Sequence, residues 1–379
     1  MEQESRNKIF LIGNGFDLGH KLKTDYGSFI IWYLNESLKQ ALESGKNQFE
    51  DNCIEMLVAR YFSPPGRHSE AFKSLNSDFE KGTLSEVIVK KLPDPHYSGF
   101  NIAIKAKNLF INKILTECID AEWNGIEHEI YSSIERAHHE VKTNTNGPDI
   151  RSSRLFQEQT DVIKQINQSV DCLKINLVNY LKTQNQPDIE RTSNWFNFPF
   201  DRLDLKDKGD SRPAAIFLNF NYTTFQWNLR NLLMSRYRDK LSSLEIIPIH
   251  GTIDNYNDVV FGIGDEQNEF YSIIESKYSD EWLKCMKSFH YFRNQSYQDL
   301  LGFTALGPYE IYVMGHSCSI TDRTLLNMLF ENKYCKKIHV YNYDGMSSYT
   351  KTAYNIARNF RDKVKLREVL MPFNEYLKM

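Results

Sequence analysis

The chain has 379 residues, 41% of them hydrophobic and 25% charged, with a formal net charge of −3. That length suits two domains, or one α/β domain with a large insertion, and the composition is that of a globular protein. The acidic balance excludes a global basic field for nucleic acid, and no apolar run approaches the ~18 residues a membrane span needs, so neither is an expected partner.

The first residues, MEQESRNK, are polar with no apolar segment behind them, which reads as cytoplasmic. The apolar run Ile9 to Ile12 then predicts a strand buried on both faces of a parallel sheet. Gly13, Asn14 and Gly15 predict a sharp turn that lets backbone approach a ligand, and Phe16 to Thr24 opens a helix carrying Asp17. Strand, Gly-x-Gly and helix make either a phosphate-cradling loop or a tight turn beneath a buried strand. The third glycine of the dinucleotide fingerprint would fall at Leu18 and comes one step later, at Gly19. No Lys-Ser/Thr pair follows, so the loop is not a P-loop.

From Tyr26 to about Leu181 the apolar spacing is helical, and residues 26–204 are expected to form an all-helical insertion that covers a cleft or binds a partner. Asn101 to Trp123 is its clearest helical face. Breaks fall at Phe62–His68, Lys91–Gly99, Thr143–Asp149 and Gln184–Asp188, all rich in turn formers. Trp123 and Glu127 share a helical face as packing residues. His128, His138 and His139 lack metal-ligand spacing. Six scattered cysteines without a C-x-x-C read as buried free thiols, not as a zinc site or disulfide framework.

After Lys206–Ala215 the texture changes to short apolar strands at Ala214–Asn221, Glu245–Gly251, Glu310–Ser317 and Lys336–Asp344, several separated by helical patterns. That alternation predicts an α/β, Rossmann-like parallel sheet built from residues 1–25 and 205–379. Each strand ends in a ligand-capable group: Gly13 to Gly15, Asn219 to Thr223, His250-Gly251, Gly315 to Ser317, and Asn342. Ligands of open parallel sheets bind outside the carboxyl ends of the strands, so these ends are expected to wall a nucleotide cleft.

Within these blocks, alternation puts Asn219 and Asn221 on one face, as ligand contacts or as a cap for the helix near Thr224. His250, directly after an apolar strand and followed by Gly251, whose missing side chain would keep room open, is either a base entering the cleft or a structural histidine. Val259–Glu266 is a ligand loop or a hairpin with φ > 0 at Gly262 and Gly264. Val313–Leu326 is a second anion loop, with Gly315, Ser317 and Ser319, or a plain strand-loop-helix connection capped by Thr321 or Asp322, with His316 open to either role.

Taken in order, IFLIGNGFDLGHKLKTDY, WNGIE, FLNFNYT, IHGT, FGIGDE and MGHSCSITD make the chain resemble the AbiH family of bacterial abortive-infection, anti-bacteriophage proteins. More loosely the same blocks resemble a sirtuin-type NAD-binding core. That resemblance implies a phosphate loop over Gly13, Asn14, Gly15, Phe16 and Asp17, a strand-end signature over Phe220 to Thr223 with its asparagine at Asn221, and a catalytic His-Gly at His250 and Gly251. It also implies a later loop carrying Gly315, Ser317 and Asp322, and Asn342 beside the adenosine ribose. Thr223 stands where the signature has aspartate, and there is no zinc-binding cysteine module. The implied reaction is therefore hydrolysis of NAD, without a metal, to nicotinamide and ADP-ribose, His250 and Asn221 being catalytic. The alternative is a nucleotide-sensing or protein-binding defence module without catalysis. The resemblance leaves room for a phage-derived or protein activator and for a homo-oligomer. A dehydrogenase is disfavoured, because the region about 20 residues after the glycines is helical instead of a strand ending in Asp or Glu.

Overall fold

The computed structural model describes residues 6–60, 100–116, 123–140, 150–201 and 212–379. The breaks expected at Phe62–His68, Lys91–Gly99 and Thr143–Asp149 lie outside the described residues. In chain order the strands are β1 (Asn7–Ile12), β2 (Gln48–Glu50), β3 (Ile54–Arg60), β4 (Phe100–Ala106), β5 (Ala214–Asn219), β6 (Ser243–Pro248), β7 (Tyr309–Met314) and β8 (Cys335–Val340). The chain divides into two compact units, one comprising Met1–Thr24, Leu181–Ile273 and Met286–Met379, the other Asp25–Tyr180 with Ile274–Cys285. Residues 181–201 therefore fall in the first unit, and the second takes in a short later segment.

In the first unit all five strands pair in parallel, in the order β6-β5-β1-β7-β8. Their continuous apolar runs follow from burial on both faces. Ile9, Leu11, Ile216, Leu218, Ile311 and Val313 enter one core with Leu325, Leu329 and Phe330 of the helix Arg323–Glu331. Phe10, Ile12, Phe217, Tyr312 and Met314, on the alternate positions, enter the other with Phe16, Phe196, Phe200 and Leu229. The structure is thus α/β and Rossmann-like in general terms.

The second unit corrects the all-helical expectation. The helices Tyr26–Glu43, Leu109–Thr116, Trp123–Glu140 and most of Ile150–Lys182 are there, but so is an antiparallel sheet of order β2-β3-β4. Asn101–Trp123 is not one helical face: it opens in β4 and turns helical only at Leu109. The reason is a period of two that the longer pattern hides, for Ile54, Met56 and Val58 alternate in β3, and Met56 and Val58 pair with Ile104 and Ile102 in β4. Among the described residues no helix is long and apolar enough to cross a membrane.

Candidate active site

Strand order in the first unit reverses beside β1, which lies between β5 and β7. At that point, where ligands of such sheets bind, the loops after β1 and β7 meet. Gly13 N–H donates to the Met314 carbonyl (3.1 Å) and Gly15 N–H to that of Gly315 (2.8 Å). A Cβ on Gly13 would lie 2.5 Å from His316 Cα, and one on Gly15 2.9 Å from Gly315 Cα. The close backbone approach expected of these glycines is therefore to a second loop of the same chain. Gly15 N–H and Phe16 N–H, the latter bonded to the Gly13 carbonyl at 2.8 Å, are engaged within the protein and are not directed at a phosphate.

The neighbours of this loop are also internally held. Asn14 Oδ1 accepts from the Thr24 hydroxyl at 2.6 Å. Phe16 is a core residue, its ring against His20, Trp195, Phe196 and Phe225. Asp17 is buried and accepts from Asn221 Nδ2 (2.6 Å), the Thr223 hydroxyl (2.7 Å) and Gln226 Nε2 (3.4 Å). Burial pushes its carboxyl up to about 7, against the lowering bonds from Thr223 and Asn221. Asn221 also donates to the Gly13 carbonyl at 2.9 Å, so its amide orients Asp17 and ties β5 to the loop after β1. Asn219 Oδ1 accepts from Asn221 N–H at 3.2 Å, while Asn219 Nδ2 has no partner among the described residues.

A second buried cluster centres on Asp322. Lys287 Nζ donates to Asp322 Oδ1 at 2.7 Å, and the lysine side chain is fully buried. His250 Nε2 lies 3.2 Å from the same oxygen but off the hydrogen-bond line, and His316 Nε2 lies 3.6 Å from Oδ2. The Phe220 ring packs against both imidazoles, at 5.0 Å and 4.0 Å between centroids. Burial alone would raise the Asp322 carboxyl, yet the Lys287 ammonium beside it holds it well below its usual range. Burial, then Lys287, lowers His250, opposed by Asp322 and the Phe220 backbone. His316 is pushed down to about 4 by burial, despite Asp322. Cys318 N–H donates to His316 Nδ1 at 3.0 Å, which puts the neutral ring's proton on Nε2, facing Asp322. The cluster is thus an ion pair flanked by two neutral imidazoles. Among the described residues, His250 Nε2 and the Thr321 hydroxyl, like Asn219 Nδ2, are buried without a hydrogen-bond partner. Such orphaned groups are what ligand hydroxyls or a water would satisfy.

Four other expectations are revised. Gly251 does not hold a cleft open: at φ +80 its Cβ would lie 2.1 Å from the Asp258 carbonyl oxygen, so the glycine is required by the turn. Asn342 donates to the Leu377 (2.7 Å) and Asn374 (3.4 Å) carbonyls and anchors the C-terminal segment. Asp322 makes no side-chain cap, and Ser319 caps the short helix before it by accepting from Thr321 N–H. Ser317 is half-buried, its carbonyl accepting from Asn355 Nδ2 at 2.9 Å. Val259–Glu266 is no hairpin. Gly262, not Gly264, has positive φ, and Gly264 bonds both ways to Thr321 and Thr324 while the Ile263 carbonyl accepts from Lys287 N–H. This brace is what presents Lys287 to Asp322.

Lys287 was not legible, since nothing in CMKSFH marks it. His316 sits at a strand end beside glycine, the same signal that singled out His250. The structure brings His250 together with Asp322, and Asn221 together with Asp17. A groove of about 490 Å³ elsewhere on this unit, lined by Phe198, Lys337, His339 and residues 371–376, contains none of the expected site residues.

His316 gives a pH dependence whose sign is fixed. Its folded-state value of about 4 lies below the ordinary 6.5, so it contributes stability that is full above 6.5 and is lost as pH falls toward 4. A His316→Gln variant is expected to flatten the fall in thermal midpoint across that window relative to the parent. Asp17 acts oppositely there, its raised value costing stability as pH climbs toward about 7, but it does so in both proteins. Parallel parent and variant curves would contradict the buried, neutral assignment.

A protein-family model described as bacteriophage abortive infection AbiH matches residues 9–343. No curated protein matches the chain.

Proposed function

We propose, from the premise that this chain belongs to the bacteriophage abortive infection AbiH family, that it hydrolyses NAD at the nicotinamide–ribose bond. Membership implies an anti-phage abortive-infection role, and depletion of a universal cofactor is a reaction that suits it. The observation that carries the reading is the Asp322–Lys287–His250–His316 cluster following the carboxyl ends of β6 and β7 in a parallel sheet. Neutral nicotinamide leaves with the bonding electron pair, so no general acid is needed, and the ribose passes through an oxocarbenium-like state. Water adds to the anomeric carbon and loses a proton to neutral His250. Asp322, held ionised by Lys287, stabilises the imidazolium so formed, and Asn219 Nδ2 and the Thr321 hydroxyl are available to ribose hydroxyls. Asn221 acts through Asp17 as a positioning residue. Idle turnover would harm the host, so the reading includes an activator, phage-derived or protein, and accommodates a homo-oligomer.

His250→Ala is expected to lower nicotinamide release by about 10²-fold or more, the scale for a lost positioned proton acceptor. Asn221→Ala should lower it by a similar factor. Both side chains are buried, so rates are compared per folded molecule by circular dichroism. Undiminished release from both folded variants removes the proposed site.

A second reading is a defence module without catalysis, nucleotide-sensing or protein-binding, and one observation favours its protein-binding form. Gly15 N–H, Phe16 N–H and both Asn221 amide protons are already bonded within the chain. No ADP-ribose binding by calorimetry and no nicotinamide release under any condition would support it, whereas ADP-ribose binding without release would point to the nucleotide-sensing form.

A further inference from the structure

Three ligand-type side chains converge in the second unit. Asp51 and Cys53 stand just before β3, and Cys172 lies on the helix Ile150–Lys182. One carboxylate oxygen and the two sulfurs lie within 4.8 Å of one another, and among the described residues this is the group of at least three such side chains able to share an ion. We infer that Asp51, Cys53 and Cys172 form a binding site for a thiophilic divalent cation of the zinc class, independent of the reaction proposed above.

The geometry suits that class. A tetrahedral ion with about 2.3 Å bonds to sulfur and about 2.0 Å to oxygen sets its ligand atoms roughly 3.5–4 Å apart. Cys172 Sγ lies 3.3 Å from Asp51 Oδ2. The carboxylate is fixed from behind, since its Oδ1 accepts from Cys53 N–H (2.7 Å) and Ile54 N–H (2.9 Å). Oδ2 accepts from the Tyr33 hydroxyl at 2.8 Å, the kind of outer contact that holds a metal's carboxylate ligand in place. Cys53 is wholly buried and its thiol donates to the Ser169 carbonyl (3.4 Å), while Ser169 itself bonds Asn52 and Asn108. Cys172 is half-buried, which leaves a side from which an ion and a fourth, water ligand can enter. Binding replaces two thiol protons by two sulfur–metal bonds, with no change of oxidation state, and releases both protons to solvent. Sequence spacing gave no hint of this, because Asp51 and Cys172 are 121 residues apart.

The test uses the full chain, reduced and stripped with chelator, titrated first with Co²⁺ and then with Zn²⁺. One equivalent of Co²⁺ should give a thiolate-to-cobalt charge-transfer band and tetrahedral d–d bands, both erased by one equivalent of Zn²⁺. Cys172→Ala, at the half-buried position, should lose the charge-transfer band with its circular dichroism unchanged. Asp51→Asn keeps an oxygen for the turn and should weaken affinity at least about tenfold, and Tyr33→Phe should weaken it about 10–100-fold. No charge-transfer band in the reduced parent overturns the assignment. So does a band that persists in folded Cys172→Ala, or a Cys53–Cys172 disulfide that forms in place of metal uptake.

Discussion

Replacing Gly315 with alanine is expected to keep the first unit from folding. Its φ of +69 is one that L side chains rarely adopt, but that alone is a modest cost of roughly 1–3 kcal/mol. The larger effect is steric. The new Cβ would lie 2.0 Å from Phe16 N and 2.4 Å from the Gly15 carbonyl carbon, which are backbone atoms with nowhere to rotate. Relief needs the loops after β1 and β7 to separate, breaking the bond from Gly15 N–H to Gly315 and disturbing the Phe16 ring cluster. A loss above about 4 kcal/mol is expected, seen as insoluble protein or no cooperative transition. Gly345→Ala is the control, since Gly345 has a similar φ of +60 and a Cβ there would meet nothing within 4 Å among the described residues. If the two variants lose equal thermal midpoint, the loop-to-loop contact is not as described.

Replacing Lys287 with methionine is expected to cost about 3–5 kcal/mol at neutral pH, the scale for leaving a buried carboxylate without its partner. The ammonium is the nearest cation to Asp322 among the described residues, and both imidazoles prefer to be neutral. Without Lys287 the Asp322 carboxyl would rise, so the variant's deficit should shrink as the pH is lowered and the carboxyl protonates. Adding Asp322→Asn should recover much of the loss, because an amide is far easier to bury than an unpaired charge. Denaturant unfolding of parent, single and double variants checks this. A single variant within 1 kcal/mol of the parent, or a double no better than the single, would contradict a buried ion pair at the centre of the site.

Much of the first unit could be read from the sequence because burial on both faces leaves a plain mark. Ile9–Ile12, Ile216–Leu218 and Ile311–Met314 are uninterrupted apolar runs, each ending where a polar or glycine residue begins the loop. The same rule found His250. It could not say what the glycines face: Gly13 and Gly15 look alike whether they admit a phosphate or, as here, the backbone of Gly315 and His316. Lys287 was hidden because a buried lysine is spelled like an exposed one, and only the brace through Ile263 and Gly264 explains its position. β3 and β4 were missed because their alternation spans only a few residues within a longer helical texture. Sequence spacing also failed for Asp51, Cys53 and Cys172, which meet only through the fold.

The most direct measurement of the central claim is nicotinamide release from NAD by the purified full chain, followed by chromatography with and without lysate from phage-infected cells as the source of activator. Hydrolysis predicts nicotinamide and ADP-ribose in equal amounts, a rate that rises with the lysate, and no release by His250→Ala above background. NAD left intact by folded protein under both conditions, or equal release by His250→Ala, would contradict it.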